Sequence, residues 1–486
     1  MENSKLQFFL GDKLKVIDFE KSAYLPSTTV LNYIRAEGFK GTKEGCAEGD
    51  CGACTVVIGT PESGKMIYQA VNSCLIFLAS LHGKQLIMIE NLMDSSAGKN
   101  HLHPVQQALI AHHASQCGFC TPGIAMSLFA QYKAAAKPDT NTLKLQLSGN
   151  LCRCTGYESV QKAALASLQN IQPDHFSHSE AGLVGALEMV RESGGLRINA
   201  AKQKYFLPSS LKGALQLRAE HPAAKIINGN TDNAVRQNKT FIFDREVIDL
   251  SAVAAINGII EKNNSVELGA SCSIEKMRLY LVDRIPSLSQ LLAYFASAQI
   301  RNLATAGGNI CTASPIGDLL PALVALNARV ELQSKNDSRV LSLEDFILDY
   351  RKIDLAPDEL LTRIFIPVPA PNQLFLCVKA SVRKQLDIST VSLAMLLQKD
   401  KANRVEKIVL AYGGMAATVK RAAEAENFLV GKHWTRENIE ECIPLISRSF
   451  VPMSDARAEA AARTRLSGNL FLRLFNQSLE GGSHEK

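Results

Sequence analysis

Two short runs near the start of the chain, Leu6 to Leu10 and Leu14 to Phe19, alternate apolar and polar residues on either side of Gly11-Asp12. A period of two broken by a Gly-containing pair predicts a β-hairpin. Ser27 stands where a hydroxyl could cap a helix bearing Leu31 and Ile34, with Gly38 at its end. Strands are expected at Thr55 to Ile58 and Leu86 to Glu90, with a helix around Ser73 to Leu81 between them. From His103 to about Leu168 the apolar period becomes helical. One face carries Val105, Ala108 and Leu109, and a second, opened by Pro122, carries Ile124, Ala125, Leu128, Phe129 and Tyr132. Leu143 to Leu147 before Gly149, and then Val160, Ala163, Ala164 and Leu168, predict two more helices. Four short helices around one seam make a small bundle.

Residues 171–197 are polar and read as a linker with room for one helix around Leu183 to Val190. Beyond it, strand-like runs fall at Lys225 to Ile227, Val247 to Leu250, Val266 to Leu268, Arg329 to Leu332, Leu361 to Ile366 and Ile408 to Tyr412. The chain closes on a long amphipathic helix that Ser454 or Asp455 would cap. A length of 486 residues sets an expectation of two to four domains, and no internal repeat is evident.

Charge changes this picture little. The chain is +6 at neutral pH, but its basic and acidic residues are interspersed, which argues against a nucleic-acid or membrane patch. Residues 1–20 lack a basic segment followed by an apolar run, and no stretch is apolar for the roughly 18 residues of a membrane span. A cytoplasmic location is expected.

Cysteine changes it much more. Of 12 cysteines, Cys46, Cys51, Cys54, Cys74, Cys117, Cys120, Cys152 and Cys154 precede residue 155, while Cys272, Cys311, Cys377 and Cys442 are scattered singly. A reducing compartment disfavours disulfides, and two sets of four thiols point to metal. Cys46-x4-Cys51-x2-Cys54 with Cys74 further on has the spacing of plant-type [2Fe–2S] ferredoxins. Gly45, Gly49 and Gly52 allow the loop to fold tightly around an anionic cluster, and Ala47 and Ala53 permit close approach. Zinc is the competing reading, but zinc sites usually combine two short cysteine pairs. In the second set, Cys117-x2-Cys120 and Cys152-x-Cys154 each lie just ahead of a predicted helix. Free N–H groups and partial positive charge at helix N-termini favour an anion there.

Two later segments invite a ligand. Lys225 to Asn233 is a strand running into a Gly/Asn turn whose N–H groups could form a nest, although an ordinary turn reads the same way. It is not a G-x-G-x-x-G fingerprint. Gln299 to Pro321 is rich in small residues, and Gly307-Gly308 would let backbone approach a ligand.

SQCGFCTPG (115–123), GNLCRCTGY (149–157) and EGDCGACTV (48–56) together resemble the iron–sulfur region of the molybdenum hydroxylases, the xanthine dehydrogenase family. Glu158-Ser159 departs from the Arg-Pro of many members, past the last ligand. The resemblance extends over nearly the whole chain and implies an α+β multidomain fold. Its parts would be a β-grasp ferredoxin-type domain (1–92), a four-helix [2Fe–2S] domain (93–170), a linker (171–200), an FAD-binding PCMH-type domain of vanillyl-alcohol-oxidase-like fold (201–370) and a C-terminal α+β domain (371–486).

The resemblance also implies site residues. Each cysteine quartet would hold one [2Fe–2S] cluster, and Gln116 would hydrogen-bond the pterin of a molybdopterin partner. Ile226, Ile227, Asn228, Gly229, Asn230, Thr231, Asp232 and Asn233, with Thr305, Ala306, Gly307, Gly308 and Asn309, would wrap the pyrophosphate and ribityl of FAD. Asn228 replaces an apolar residue common in the family. Phe295 would stack on the isoalloxazine, and Asp318, Leu361 and Lys379 would be further contacts. The split bacterial form of the family implies an electron-transfer subunit paired with a large molybdopterin subunit, two copies of each. Electrons from hypoxanthine or xanthine oxidation to urate would pass through the Cys117 and Cys46 clusters and FAD to NAD. The alternatives are the redox subunit of a molybdenum hydroxylase for aldehydes or N-heterocycles, and a zinc-stabilised scaffold.

Overall fold

The hairpin forms as expected: in the computed structural model β1 (Lys5–Leu10) and β2 (Lys13–Asp18) pair antiparallel, with Leu10 opposite Lys13 across Gly11. The structure describes residues 3–94 and 101–480. It divides into one unit made of Met1–Ala254 with Ala296–Ala304, and another made of Ala255–Phe295 with Thr305–Lys486.

In the first unit, β1 and β2 join β3 (Thr55–Glu62), β4 (Lys65–Asn72) and β5 (Gln85–Ile87) in the sheet order β2-β1-β5-β3-β4. Helix α1 (Val30–Ala36) is capped by Thr29, whose hydroxyl accepts from Asn32 N at 3.2 Å, rather than by Ser27. Ser27 is unavailable because its backbone N–H and its hydroxyl are both bonded to the Gln203 amide. Gly38, at φ +93°, ends the helix as its sequence position suggests. The helix expected around Ser73 to Leu81 is only a single 3₁₀ turn, Leu78–Leu81. Leu75 to Ala79 are all buried, so a helix there would have had no polar face to turn outward.

Helices α2 (Pro104–Ala111), α3 (Thr121–Lys133), α4 (Thr140–Leu147) and α5 (Glu158–Gln169) make the expected bundle around Val105, Ile124, Leu128, Phe129, Leu143 and Val160. Helix α6 (His175–Glu192) is longer than its sequence signal, and packs Phe176, Val184 and Leu187 into the same core. Strands β6 (Leu196–Ala200), β7 (Gln203–Leu207), β8 (Lys225–Ile227) and β9 (Glu246–Asp249) form a second sheet, ordered β6-β7-β9-β8, with helices α7 (Leu211–Glu220) and α8 (Asn233–Thr240).

The second unit opens with β10 (Ile259–Lys262), β11 (Ser265–Gly269), α9 (Ile274–Tyr280) and α10 (Pro286–Ala293). The chain then returns to the first unit as α11 (Ala298–Leu303) before continuing with α12 (Ala306–Thr312) and α13 (Leu319–Ala325). Next come β12 (Arg329–Gln333), β13 (Ser338–Ser342), α14 (Leu343–Phe346), the small hairpin β14 (Ile347–Asp349) and β15 (Lys352–Ile353), and β16 (Leu360–Pro367). One sheet of this unit is ordered β10-β11-β16-β12-β13. The other is an antiparallel run of β17 (Gln373–Ala380), β18 (Val391–Lys399), β19 (Val405–Gly413) and β20 (Lys420–Arg421). Helices α15 (Ala423–Leu429), α16 (Arg436–Arg448) and α17 (Ala460–Leu479) share a core with it that includes Leu393, Leu410, Trp434, Ile439, Phe471 and Leu474. The N-cap of α17 is Glu459, not Ser454 or Asp455. Those two side chains hold the turn ahead of the helix, accepting from Ala460 N and from Arg457 N and Ala458 N. The whole is a mixed α+β, multidomain architecture. Among the described residues no helix is long and apolar enough to cross a membrane.

Candidate functional site

The loop between α1 and β3 carries Cys46, Cys51 and Cys54, and Cys74 follows β4. Gly49 and Gly52 have φ +89° and +68°, the left-handed conformation a tight loop needs. A side chain at Gly45 would place its Cβ 2.8 Å from Cys51 Sγ, so that glycine makes room for the sulfur itself. The thiols meet in pairs. Cys54 Sγ lies 3.3 Å from Cys74 Sγ, and Cys46 hydrogen-bonds Cys51. Within each pair one thiol is lowered and the other raised. The bond to Cys51, aided by the N–H groups of Glu48, Cys51 and Asp50, lowers the Cys46 thiol to about 5, while Cys51 is pushed up by that same partner. Cys74 lowers Cys54 and is itself raised by it. Helix α8 clamps the loop from outside: Asn238 Nδ2 donates to Ala47 O and Cys74 O, each at 2.9 Å, and Lys239 Nζ to Cys46 O at 3.2 Å.

The second quartet sits at the mouth of the bundle. Cys120 is the N-cap of α3, and Cys152 and Cys154 precede α5. Tyr157, at φ +69°, turns the chain into α5, and its hydroxyl accepts from Cys152 N at 2.8 Å. Here too the thiols pair, Cys120 with Cys152 and Cys117 with Cys154. Burial, then Cys152, pushes Cys120 up to about 12. Burial also opposes ionisation of Cys152, but the Thr155 hydroxyl and the N–H groups of Thr155 and Cys154 outweigh it and bring that thiol to about 7. Cys154 is raised by Cys117. Cys54 and Cys74 are buried, whereas Cys117 and Cys154 are exposed, as are Gln116, Phe119, Leu151 and Arg153 around them.

Among the described residues no three His, Cys, Asp or Glu side chains converge as a single metal ion would require. Two thiols close together, twice in each quartet, is the donor arrangement in which each of two irons takes two thiolates. The N–H groups aimed at Cys46 and Cys152 suit sulfur that carries negative charge.

The two quartets are joined by a junction that sequence reasoning did not identify. Leu151 N donates to Cys51 O at 3.0 Å, a direct hydrogen bond between the residue before Cys152 and a member of the first quartet. Beside it Asn150 Nδ2 donates to Gly52 O and to Thr55 Oγ1, each at 3.2 Å. Asn150 Oδ1 accepts from Ser127 Oγ at 2.6 Å and from Gln299 Nε2 at 2.9 Å. Backbones touch here: a Cβ on Gly52 would stand 2.1 Å from Gly149 O, and one on Gly123 2.2 Å from Gly52 O. The glycine of GNLCRC and the one following TP in CTPG were the available signal, but close approach between two distant loops is a use of glycine that no local pattern announces.

The expected flavin residues fall in both units. In the first, Ile226 and Ile227 lie on β8, and the loop beyond turns at Gly229 and Asn230, with φ +69° and +62°. Asn230 Nδ2 donates to Leu75 O, Asp232 stands at the N-cap of α8, and Asn233 accepts from Arg236. Gly229 needs its missing side chain because a Cβ would lie 1.9 Å from Leu303 O. Asn228 and Thr231 complete this turn, both half-buried.

In the second unit, Thr305 caps α12 by accepting from Gly308 N at 3.1 Å. Ala306 N and Gly307 N donate to Cys272 O and Ala270 O. The close approach that Gly307 permits is therefore to Ala270, with a Cβ placed 2.7 Å from it, and the first-turn N–H groups are already bonded. A pyrophosphate at 305–309 would have to be met by side chains. Asn309 Oδ1 is buried without a protein partner, and as an acceptor it suits a hydroxyl donor rather than a phosphate oxygen. Asp318 and Lys379 are brought together at 2.8 Å, and the other Lys379 bonds go to Tyr294 O and Asp387 O. Ser389 donates to the second Asp318 oxygen. Phe295 is half-buried after α10, and Leu361 is buried on β16 opposite Leu332.

Paired thiols in a ferredoxin-like sheet domain and in a helical bundle, followed by α+β modules, have the organisation of an iron–sulfur flavoprotein. A family model for a [2Fe-2S] binding domain matches residues 88–165, one for the FAD binding domain in molybdopterin dehydrogenase matches 199–369, and one for the CO dehydrogenase flavoprotein C-terminal domain matches 377–478. The chain belongs to the molybdenum hydroxylase family, as its iron–sulfur and FAD part. It is 30% identical over 525 residues to the xanthine dehydrogenase of Oryza sativa subsp. japonica, a match covering 93% of this chain and 38% of that protein. It is 33% identical over 504 residues to the xanthine dehydrogenase of Drosophila subobscura, covering 90% and 37%. The chain thus spans less than two fifths of the length of these relatives. A crystallised quinoline 2-oxidoreductase from Pseudomonas putida 86 shares the fold, with a TM-score of 0.54 at 24% identity, over 58% of this chain and 98% of that one.

Proposed function

We propose that this chain is the electron-transfer subunit of a xanthine dehydrogenase, in which a molybdopterin-bearing partner oxidises hypoxanthine and xanthine to urate and electrons leave through two [2Fe–2S] clusters and FAD to NAD. The observation that carries the reading is the double set of paired thiols joined by the Leu151–Cys51 hydrogen bond. The purine assignment is supported by 30–33% identity to xanthine dehydrogenases over about nine tenths of the chain. The ligand sets are Cys46, Cys51, Cys54 and Cys74 in residues 1–92, and Cys117, Cys120, Cys152 and Cys154 in 93–170. FAD is assigned to 201–370, with Ile226 to Asn233, Phe295, Thr305 to Asn309, Asp318 and Leu361, and with Lys379 from the domain at 371–486. The protein is placed in the cytoplasm, in a heterotetramer of two small and two large chains.

The clusters and flavin, when bound, supply the one- and two-electron chemistry. The protein's residues do the rest. N–H groups of Glu48, Cys51 and Asp50 hold negative charge on Cys46, and those of Thr155 and Cys154 hold it on Cys152. In the first quartet Cys54 and Cys74 are buried and Cys46 and Cys51 half-buried, while the exposed rim of Gln116, Phe119, Leu151, Arg153 and Cys154 gives the second a face for a partner. The Asp318–Lys379 pair neutralises its own charge and fixes the start of α13.

The test is to purify the chain with its native large subunit and assay it with xanthine and NAD. Urate formation coupled to NADH is expected. Activity on an aldehyde or N-heterocycle with none on xanthine would move the assignment within the family, and a colourless zinc protein would end the redox reading.

A further inference from the structure

Helix α11 is short, yet it touches β4, the first-quartet loop, the Asn150 junction and the turn after β8. Residues 296–304 pack within that unit although the chain on both sides of them belongs to the other. Asn302 Nδ2 donates to Ala70 O on β4 at 2.9 Å. Ile300 fills the space beside Gly49, where a Cβ would come within 2.7 Å of its Cδ1. Leu303 O presses on Gly229 in the turn after β8. Gln299 is wholly buried, and its Nε2 donates to Asn150 Oδ1 at 2.9 Å and Ser127 Oγ at 3.1 Å, and lies 3.4 Å from Thr55 Oγ1. Its own Oε1 has no protein partner and lies against Gly149, where a Cβ would stand 2.2 Å away.

These bonds meet on Asn150, whose amide bonds Gln299, the bundle residue Ser127 and the first-quartet loop at Gly52 together. A buried amide with four partners has one low-energy orientation, because any rotation leaves a polar atom unpaired away from water. The next N–H along the chain is that of Leu151, which closes the bond to Cys51 O. We propose that Gln299 is a positioning residue for transfer between the two cysteine quartets: through Asn150 it holds the Leu151–Cys51 bond closed and fixes the distance between the two sites. The inference rests on the two-cluster reading proposed above. It also gives Gln299 a role apart from flavin contact, although it lies only six residues before Thr305.

The experiment uses the full chain with its clusters, and low-temperature EPR of the reduced protein. The wild type should contain both [2Fe–2S] signals with magnetic splitting between them; absence of two signals would remove the two-cluster reading itself. Gln299→Met keeps the volume and removes the donor. Gly149→Ala pushes on the same contact from the opposite side. Both should retain two cluster signals and full iron while the splitting is lost or changed, and reduction of the second centre from the flavin side should slow. Asn302→Ala perturbs the same helix without reaching Asn150 and should leave the splitting unchanged. If Gln299→Met does not fold, Ser127→Ala removes the neighbouring bond to Asn150 and is expected to give the same spectral change. Unchanged splitting in the folded variants, or the same change in Asn302→Ala, would overturn the proposal.

Discussion

Gly52 is where the loop of the first quartet meets the backbone ahead of Cys152. It sits between Cys51 and Cys54 at φ +68°, and a Cβ there would meet Gly149 O at 2.1 Å and Asn150 Nδ2 at 2.8 Å. Left-handed backbone alone costs a non-glycine residue about 1–2 kcal/mol, and overpacking against backbone adds about 1–3 kcal/mol. Gly52→Ala is therefore expected to lower the temperature at which cluster absorbance is lost by several degrees, and to do so more than Gly64→Ala. Gly64 also has positive φ, +77°, but its Cβ would meet nothing within 4 Å. Equal effects would show that only the backbone strain matters. A second residue-level expectation concerns acid stability. Burial lowers His82 to about 4 from an ordinary 6.5, and its Nδ1 accepts from Gln7 N at 3.2 Å. A depressed histidine means the unfolded chain binds the extra proton first, so stability falls as pH drops from about 6.5 towards 4, by up to about 3 kcal/mol. His82→Asn should flatten that part of the stability–pH curve measured by denaturant titration; an unaltered slope would assign it to other groups.

At the level of elements, each quartet belongs to its own substructure, and its thiols pair within it. Cys154→Ser should then remove one of two EPR signals and stop transfer from the molybdenum side, while NADH still reduces the flavin and the Cys46 centre. Loss of both signals in folded protein would mean the quartets are one cooperative site. The same modularity made much of the architecture legible. The β1–β2 hairpin, the four helices of the bundle and β8, β9, β11, β12, β16 and β19 all announce themselves by local period and punctuation. Strand β4 went unseen because Met66, Tyr68 and Ala70 alternate with residues that carry no turn signal before Ser73, and the run after it is apolar on every side. Ser27 and Ser454 are good caps by type, but long-range partners took the first and a turn took the second. The quartets were readable since ligand spacing is a property of sequence. Their thiol pairing, the Asn150–Gln299 junction and the bonded N–H groups at 306–308 were not, because each depends on residues far apart in the chain.

For the whole molecule the prediction is division of labour. Two sets of four thiolates imply about four Fe and four acid-labile sulfides per chain after anaerobic purification, and zinc in their place would end the reading. On the reading proposed above, which assigns the substrate-oxidising centre to the large subunit, the isolated chain should reduce artificial acceptors with NADH and should not oxidise xanthine. Adding the large subunit should restore urate formation coupled to NAD. A relay is useful only where its outer centre meets a donor, and the exposed centre is the second one, with Cys117 and Cys154 at the surface and Phe119 and Leu151 47% and 43% exposed beside them. Apolar side chains around an exposed redox site are what a subunit interface would cover. Arg153 stands exposed between Cys152 and Cys154. Reversing its charge with Arg153→Glu should weaken assembly or transfer from molybdenum, while NADH oxidation by artificial acceptors, which draws on the flavin side, stays near wild type. Equal losses in both assays would place Arg153 in the stability of the bundle instead, and xanthine turnover by the molybdenum-free chain alone would overturn the assignment.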